Sequence, residues 1–147
     1  MNFWHKYYSD RFQDPSNEII LDHRPICLAR LRNLYGVFQL CNGEIICDFI
    51  YEEARFWLSG LIALKRREHW IFVGPTGKKF AKQVYSDFRQ FSKTIAVYNG
   101  NNGKWGLRDL ETGEILRQCM FDDIREQPDK KIIEGHKKEN WIKIYSN

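Results

Sequence analysis

Two pairs of neighbouring carboxylic acids are the first residues in this chain whose types could do chemistry. They are Glu52-Glu53 and Asp122-Asp123. Two carboxyl groups that converge on one substrate atom can act as a general acid and base couple. Neighbours in an extended chain point to opposite faces, so neither pair is placed for such a reaction. We interpret these four residues, called the corner carboxylates below, as acceptors of backbone hydrogen bonds at chain corners.

Metal-binding and nucleophilic patterns are missing from the sequence. The histidines are His5, His23, His69 and His136. None of them has a ligand spacing such as H-E-x-x-H, and the four cysteines form no C-x-x-C pair. The segment GPTGKK, which begins at Gly74, lacks the complete pattern of a phosphate-binding loop. We therefore expect a protein that is not an enzyme and that has no metal site and no cofactor.

Basic residues form two patterns that could bind carboxylates or phosphates. Lys65-Arg66-Arg67, Lys104 and Lys137-Lys138 each precede an aromatic residue. Arg55, Arg89 and Arg125, called the arginine column, each follow an aromatic residue by four positions. Both patterns fit contacts to phosphate groups or to an acidic protein surface. They also fit a charged edge that keeps the protein soluble and blocks aggregation between strands.

Four aromatic residues, called the anchor aromatics, recur at a nearly constant spacing. Tyr35, Trp70, Trp105 and Trp141 are separated by 35, 35 and 36 positions. A glycine turn follows each of the first three by seven or eight residues, at Gly43, Gly77 and Gly113. An aromatic-acidic cluster comes next, and a short apolar run leads to the following anchor. The chain therefore contains about three full units and a partial fourth, each of about 35 residues.

Each unit predicts short strands. The anchor lies at the start of one strand, the glycine turn reverses the chain into a second, and the apolar run is the third. A large ring fills the space between successive units, and Gly36 or Gly106 beside it lets another strand or ring approach closely. Because one unit cannot bury its apolar face alone, we predict an all-β fold of stacked antiparallel strands and hairpins. At Asn42-Gly43 we expect a two-residue hairpin turn, which places Cys47 opposite Phe38.

The residues NGKWGLRDLETGE, beginning at Asn102, and MFDDI, beginning at Met120, resemble the WG β-repeat family. The unit of that family has about this length and carries a Lys-Trp/Tyr-Gly strand, a glycine turn and a Tyr-Asp-x-Ile corner. The resemblance covers residues 26–145, although Ile71 and Ile142 stand where glycine is expected. The family is mainly bacterial and is regarded as non-enzymatic. The resemblance therefore implies a binding scaffold without catalytic residues.

Residues 1–25 lie outside the clear repeat, and residues 26–147 form the repeat region of what we expect to be a single structural domain. The aromatic residues near the start, which include Trp4 and Tyr7, occur at spacings of three and four, which predicts a short amphipathic helix. Such a helix fits a cap on the first repeat unit. The segment YSDRF echoes YSDFR in the repeat region, which fits a degenerate additional unit instead. The same aromatic residues also fit an arm that binds a partner.

The size and charge of the chain narrow the classes of function. Its 147 residues carry a formal net charge of +4 and contain no apolar run long enough to span a bilayer. The start of the chain lacks the pattern of a signal peptide, so we expect a cytoplasmic protein without membrane contact. The modest net charge disfavours nucleic acid as the partner. The basic loops nevertheless keep a nucleic-acid-binding module as the alternative function.

A small intracellular binding module implies a dedicated protein partner. Small bacterial repeat proteins of this kind resemble immunity proteins, so the expected function is to bind and neutralise a cognate toxin domain. The candidate contact residues are the arginine column, the corner carboxylates, Trp4 and Tyr7. The anchor aromatics and the glycines beside them, Gly36 and Gly106, are assigned a structural role. The sequence does not choose between the arginine column and the corner carboxylates as the main contact.

Overall fold

The computed structural model describes residues 17–57, 59–81 and 84–146. These residues form 15 β-strands and one short 3-10 helix, and none of them lies in an α-helix. The predicted all-β class is therefore confirmed. The chain divides into two compact units, Met1–Phe80 and Ala81–Asn147. The helix predicted around Trp4 and Tyr7 lies outside the described residues.

The first unit contains two antiparallel sheets in which the strands pair in chain order. The strands of the first sheet are β1 (Glu18–His23), β2 (Ile26–Leu31), β3 (Leu34–Gln39) and β4 (Ile45–Tyr51). Those of the second sheet are β5 (Glu53–Phe56), β6 (Ile62–Arg66), β7 (His69–Val73) and β8 (Lys79–Phe80). Strand β1 precedes the predicted repeat boundary at residue 26 and pairs with β2. Short connections place each strand beside the one before it.

The second unit also contains two antiparallel sheets with strands in chain order. The third sheet consists of β9 (Tyr85–Gln90), β10 (Thr94–Asn99), β11 (Lys104–Asp109) and β12 (Ile115–Phe121). The fourth sheet consists of β13 (Asp123–Gln127), β14 (Ile132–Lys137) and β15 (Asn140–Ser146), with the 3-10 helix Pro128–Lys130 between β13 and β14. Single corner residues, Glu52 and Asp122, separate the two sheets within each unit.

The core of each unit lies between its two sheets. In the first unit it contains Ile26, Leu28, Val37 and Cys47 from the first sheet and Ile62, Leu64, Ile71 and Val73 from the second. In the second unit it contains Ala96, Trp105, Leu107 and Phe121 from the third sheet and Ile124, Ile133 and Ile144 from the fourth. Each sheet contributes alternate residues because successive side chains of a strand point to opposite faces. Burial of these faces is the main force that joins the sheets of a unit.

Glycines beside two anchors allow strands β4 and β12 to approach them closely. The pairing of β3 with β4 and of β11 with β12 is irregular at these positions. A Cβ atom on Gly36 would lie 2.7 Å from the ring of Phe49, and one on Gly106 would lie 2.8 Å from the carbonyl oxygen of Arg117. Real Cβ atoms essentially never lie so close, so each of these glycines is a point of close approach between strands.

The glycine turns form as predicted, but the first hairpin has a different register. Gly43, Gly77 and Gly113 have φ angles of 72°, 91° and 74°, in the left-handed region that favours glycine. The expected two-residue turn at Asn42-Gly43 is wrong, because Gln39 N donates to Glu44 O and residues 40–43 form the loop. Cys47 therefore lies opposite Val37 and not opposite Phe38.

Candidate functional site

Each member of the arginine column lies over the ring of an anchor aromatic in its own sheet. The distance from the guanidinium carbon to the ring centre is 4.9 Å for Arg55 and Trp70, 4.2 Å for Arg89 and Trp105, and 4.0 Å for Arg125 and Trp141. These distances are within the range of cation–π contacts. Both sets of residues are recognisable in the sequence, but the contact between them was not predicted.

The strand register explains how the arginine reaches the ring. In each sheet the arginine lies on the first strand and the anchor on the third, so the middle strand separates them. Arg55 lies opposite Ala63 of β6, and Arg89 lies opposite Ala96 of β10. In these two sheets the guanidinium crosses the middle strand above an alanine methyl group. Arg125 instead lies opposite Glu134, whose carboxylate accepts a hydrogen bond from its Nε.

Arg89 also binds the fourth sheet. Its Nη1 donates hydrogen bonds to Asp123 Oδ1 at 2.5 Å and to the carbonyl oxygen of Ile124 at 2.8 Å. Asp123 Oδ1 also accepts a hydrogen bond from the backbone N–H of Ile124 at 2.9 Å. Arg89 therefore covers Trp105 and links the third sheet to the fourth with the same side chain.

Arg125 makes a different set of contacts. Its Nε donates to Glu134 Oε1 at 3.1 Å, and the side-chain amide of Gln127 donates to the same oxygen. The Arg125 side chain is 45% exposed, whereas that of Glu134 is 14% exposed. Within the described part of the chain, Glu134 is the only carboxylate that pairs with Arg125. The ring of Trp141 and the carboxylate of Glu134 thus orient a partly exposed guanidinium whose Nη atoms have no hydrogen-bond partner among the described residues.

The corner carboxylates accept hydrogen bonds from several groups of the protein. Glu52 Oε1 accepts one from the backbone N–H of Arg67 at 3.1 Å. Glu53 lies 3.5 Å from Arg55 and 3.9 Å from Lys65. Glu52 and Asp123 thus accept backbone hydrogen bonds as expected, whereas Glu53 and Asp122 pair with basic side chains.

Asp122 forms an ion pair with Lys104 across the corner of the second unit. His136 Nδ1 lies 4.0 Å from its other carboxylate oxygen. The hydrogen bond and the positive charge of Lys104 hold the pKa of Asp122 below its ordinary value. The carboxylate is therefore ionised at neutral pH and cannot act as a general acid there.

The anchor aromatics differ in burial. Trp70 and Trp105 are 2% and 6% exposed, whereas Tyr35 and Trp141 are half-buried. Trp105 packs against Tyr98, with ring centres 5.1 Å apart. The burial of Trp70 and Trp105 agrees with the structural role assigned to them.

Two cysteine thiols are unreactive because they are buried. Burial raises the pKa of Cys27 to about 12 and that of Cys47 to about 11. Both thiols are therefore protonated at neutral pH and are weak nucleophiles. Cys41 is exposed, and Cys119 is partly buried, with a raised pKa that also results from burial.

Three two-residue turns have a left-handed backbone without glycine. They are Arg32-Asn33 between β2 and β3, Arg67-Glu68 between β6 and β7, and Lys138-Glu139 between β14 and β15. Their φ angles lie between 51° and 69°, as a type I′ turn requires at both positions. The basic loops were predicted from the sequence, but Arg32 and the left-handed backbone were not. The two-residue gap between apolar runs was the available signal, but these residue pairs are not the usual Asn-Gly type.

The basic side chains of these turns are directed into solvent. Arg32, Arg67 and Lys138 are all exposed, and none of them forms an ion pair with any residue that the structure describes. The backbone N–H of Arg32 donates to Asn17 Oδ1 at 2.6 Å, and that of Arg67 donates to Glu52. Internal hydrogen bonds thus fix the backbone of the first two turns and leave their cationic groups at the surface.

Metal binding and membrane crossing have no visible structural basis in the described residues. In residues 17–57, 59–81 and 84–146, no group of three or more His, Cys, Asp or Glu side chains could hold a metal ion. The same residues include no helix with the length and apolar character that crossing a bilayer needs.

Comparison with known proteins gives no assignment. No model of a known protein family matches the sequence, and no curated protein matches it. The function is therefore argued from the residues and their contacts.

Proposed function

We propose that the protein is a non-enzymatic binding module whose partner is another protein. The observation that carries this proposal is the use of its charged residues. The corner carboxylates and Arg89 bind other groups of the chain, whereas the cations of the turns are exposed and the Nη atoms of Arg125 have no hydrogen-bond partner among the described residues. Such a division is suited to a scaffold that presents a few charged side chains for contact, since a backbone that is already fixed loses little entropy on binding.

We also propose that the scaffold consists of WG-type repeats of about 35 residues within residues 26–147. The stacked pairs support this proposal, because each arginine precedes its anchor by a similar number of residues: 70 − 55 = 15, 105 − 89 = 16 and 141 − 125 = 16. A repeated contact at a repeated spacing is expected when units of one kind are stacked. About three full repeats and a partial fourth account for the four anchor aromatics.

The specific form of the proposal is an immunity protein that neutralises a bacterial toxin in the cytoplasm. Its support is the resemblance to small bacterial WG-repeat proteins together with the exposed basic residues on rigid turns. An inhibitor needs a preformed surface that blocks the active site or substrate-binding face of the toxin. Arg and Trp side chains are frequent hot spots, which contribute most of the binding energy of such surfaces. We expect a tight complex with one dedicated partner.

Co-expression with the product of the adjacent gene tests this function. The expected result is a complex that survives size-exclusion chromatography and cells that survive the toxin. A triple variant, Arg32→Ala/Arg67→Ala/Lys138→Ala, changes only exposed side chains and should weaken protection if the turns contribute. The absence of both a complex and protection would contradict the immunity proposal.

A nucleic-acid-binding module is the second candidate function. It is favoured by Arg66, Arg67, Lys137 and Lys138, which are exposed and adjacent in pairs. Phosphate contacts by these residues would release counterions and make binding steeply dependent on salt. A gel-shift titration at two salt concentrations tests it. Binding with a steep salt dependence would support this function, and no binding at low salt would exclude it.

A further inference from the structure

The outer face of the fourth sheet presents an arginine stacked on a tryptophan. Residues directly opposite each other on neighbouring strands share a face, and Arg125 lies opposite Glu134, which lies opposite Lys143. His136 lies opposite Trp141 on the same strands, and their ring centres are 5.0 Å apart. Arg125 and Lys143 are exposed, and Trp141 is half-buried. The opposite face of this sheet packs on the third sheet through Ile124 and Ile133.

The third sheet shows what covers the equivalent stack. There Arg89 lies over Trp105, and the start of β13 lies against both residues. The start of β13 supplies two acceptors to the guanidinium, the carboxylate of Asp123 and the carbonyl oxygen of Ile124. With this cover, Trp105 is only 6% exposed.

The outer face of the fourth sheet differs from the equivalent face of the third sheet in the residues beside the arginine–tryptophan stack. The third sheet has Ala96 and Leu107 beside its stack, and both are fully buried against the fourth sheet. At the corresponding positions the fourth sheet has Glu134 and Lys143. Charged groups there do not suit a second apolar sheet, because burying them without partners would be costly. A surface that carries carboxylates of its own is the better match.

We infer that the Arg125–Trp141 stack is a docking site for a carboxylate-bearing strand or loop of the partner protein. This inference rests on the proposed protein-binding function and assigns a contact residue to it. The partner's Asp or Glu binds the Nη atoms of Arg125, in the manner in which Asp123 binds Arg89. A main-chain part of the partner covers the ring of Trp141.

The form of the internal contact favours a polypeptide as the occupant. Arg89 receives a carboxylate and a neighbouring backbone carbonyl from the same strand start, and only a polypeptide offers that pair of acceptors. The carboxylate of Glu134 lies beside the Nε atom of Arg125. Its negative charge opposes the approach of a polyphosphate chain more than that of a single carboxylate, since each additional phosphate adds repulsion.

A peptide titration tests the docking site without the natural partner. The probe is a synthetic peptide with the sequence of residues 120–127, MFDDIREQ, which contains the strand start that covers Arg89. Its control is MFNNIREQ. We expect the acidic peptide to shift the indole N–H resonance of Trp141 and the Nε–H resonance of Arg125 in the full-length protein at millimolar concentration. The amide peptide should bind about tenfold more weakly, because it lacks the two aspartate carboxylates, which form charge-assisted hydrogen bonds with a guanidinium.

Variants of the full-length protein separate the site from general charge. Arg125→Ala should reduce binding of the acidic peptide about tenfold, and Arg125→Lys should restore only part of it, because lysine lacks the planar fork. Lys130→Ala removes an exposed charge at the opposite end of the fourth sheet and should change nothing. Circular dichroism spectra of all variants should match the wild type.

Three results would overturn the docking site. They are no shift at millimolar peptide, equal shifts with the acidic and amide peptides, and a single-stranded oligonucleotide that shifts the same resonances at lower concentration than the peptide. Failure of the toxin complex with a positive peptide titration would instead reject the immunity function and leave the docking site standing.

Discussion

The guanidinium carbon of Arg89 lies 4.2 Å from the ring centre of Trp105, and the same guanidinium binds Asp123 of the next sheet. The Arg89 side chain thus covers the anchor aromatic Trp105 and also holds the start of β13 in place. Strand β10 separates β9 from β11, so the guanidinium crosses the middle strand above Ala96. Arg89 therefore contributes both a packing contact and an ion pair to the second unit.

Trp105→Ala should destabilise the protein strongly. The ring is 6% exposed and contacts Tyr98, so its removal leaves a cavity between the third and fourth sheets. We expect the free energy of unfolding to fall by about 3–5 kcal/mol. Chemical denaturation followed by circular dichroism measures this change. The half-buried Trp141 provides the control, and its replacement by alanine should cost less. A Trp105→Ala protein of normal stability that failed to bind its partner would make the ring a recognition residue.

Arg89→Ala should lower the free energy of unfolding by about 1–2 kcal/mol, the sum expected for an exposed cation–π contact and a surface ion pair. Arg89→Lys keeps the charge and should recover only part of this loss, because lysine cannot stack and donate in the same plane. A double-mutant cycle with Asp123→Asn isolates the ion pair. Purely additive effects of the two replacements would show that the contact between Arg89 and Asp123 contributes nothing.

Acid should remove the stabilisation that Asp122 contributes. The pKa of Asp122 is lowered in the folded protein, mainly by the hydrogen bond from Lys104, from an ordinary value of 3.8. The contribution is therefore complete above the unfolded pKa and is lost as the pH falls through the folded pKa. We expect Asp122→Asn to reduce stability at neutral pH and to flatten the acid side of the stability profile, measured by urea denaturation from about pH 6 downward.

Lys104→Ala should have the same effect on the pH profile, since it removes the partner that lowers the pKa. Asp48→Asn is the matched control for Asp122→Asn, because Asp48 is exposed and forms no ion pair with the residues that the structure describes. An unchanged acid slope in Asp122→Asn would argue against the linkage.

The sequence located the strands better than it located the contacts between them. The spacing of Trp105 from the glycine turn at Gly113 was enough to place β11 and the reversal after it, because both signals are local. The irregular pairing of β12 could not be predicted, since it depends on how Arg117 and Cys119 approach Gly106 from another strand. The stacking of Arg89 on Trp105 was equally hidden, because it requires the register of three strands.

Glu139→Gly should stabilise the protein. Glu139 has a φ angle of 68° in the two-residue turn between β14 and β15, a region that L-residues other than Asn and Asp rarely adopt. Glycine adopts this conformation without steric cost. This gain exceeds the additional conformational entropy that a chain with glycine loses on folding. We expect the free energy of unfolding to rise by about 0.5–1 kcal/mol. Glu111→Gly is the matched control: Glu111 is also exposed in a turn but is not among the residues with positive φ, so its replacement should bring no gain. Thermal and chemical denaturation of both variants measure the difference, and equal changes in the two would contradict a specific relief of backbone strain at Glu139.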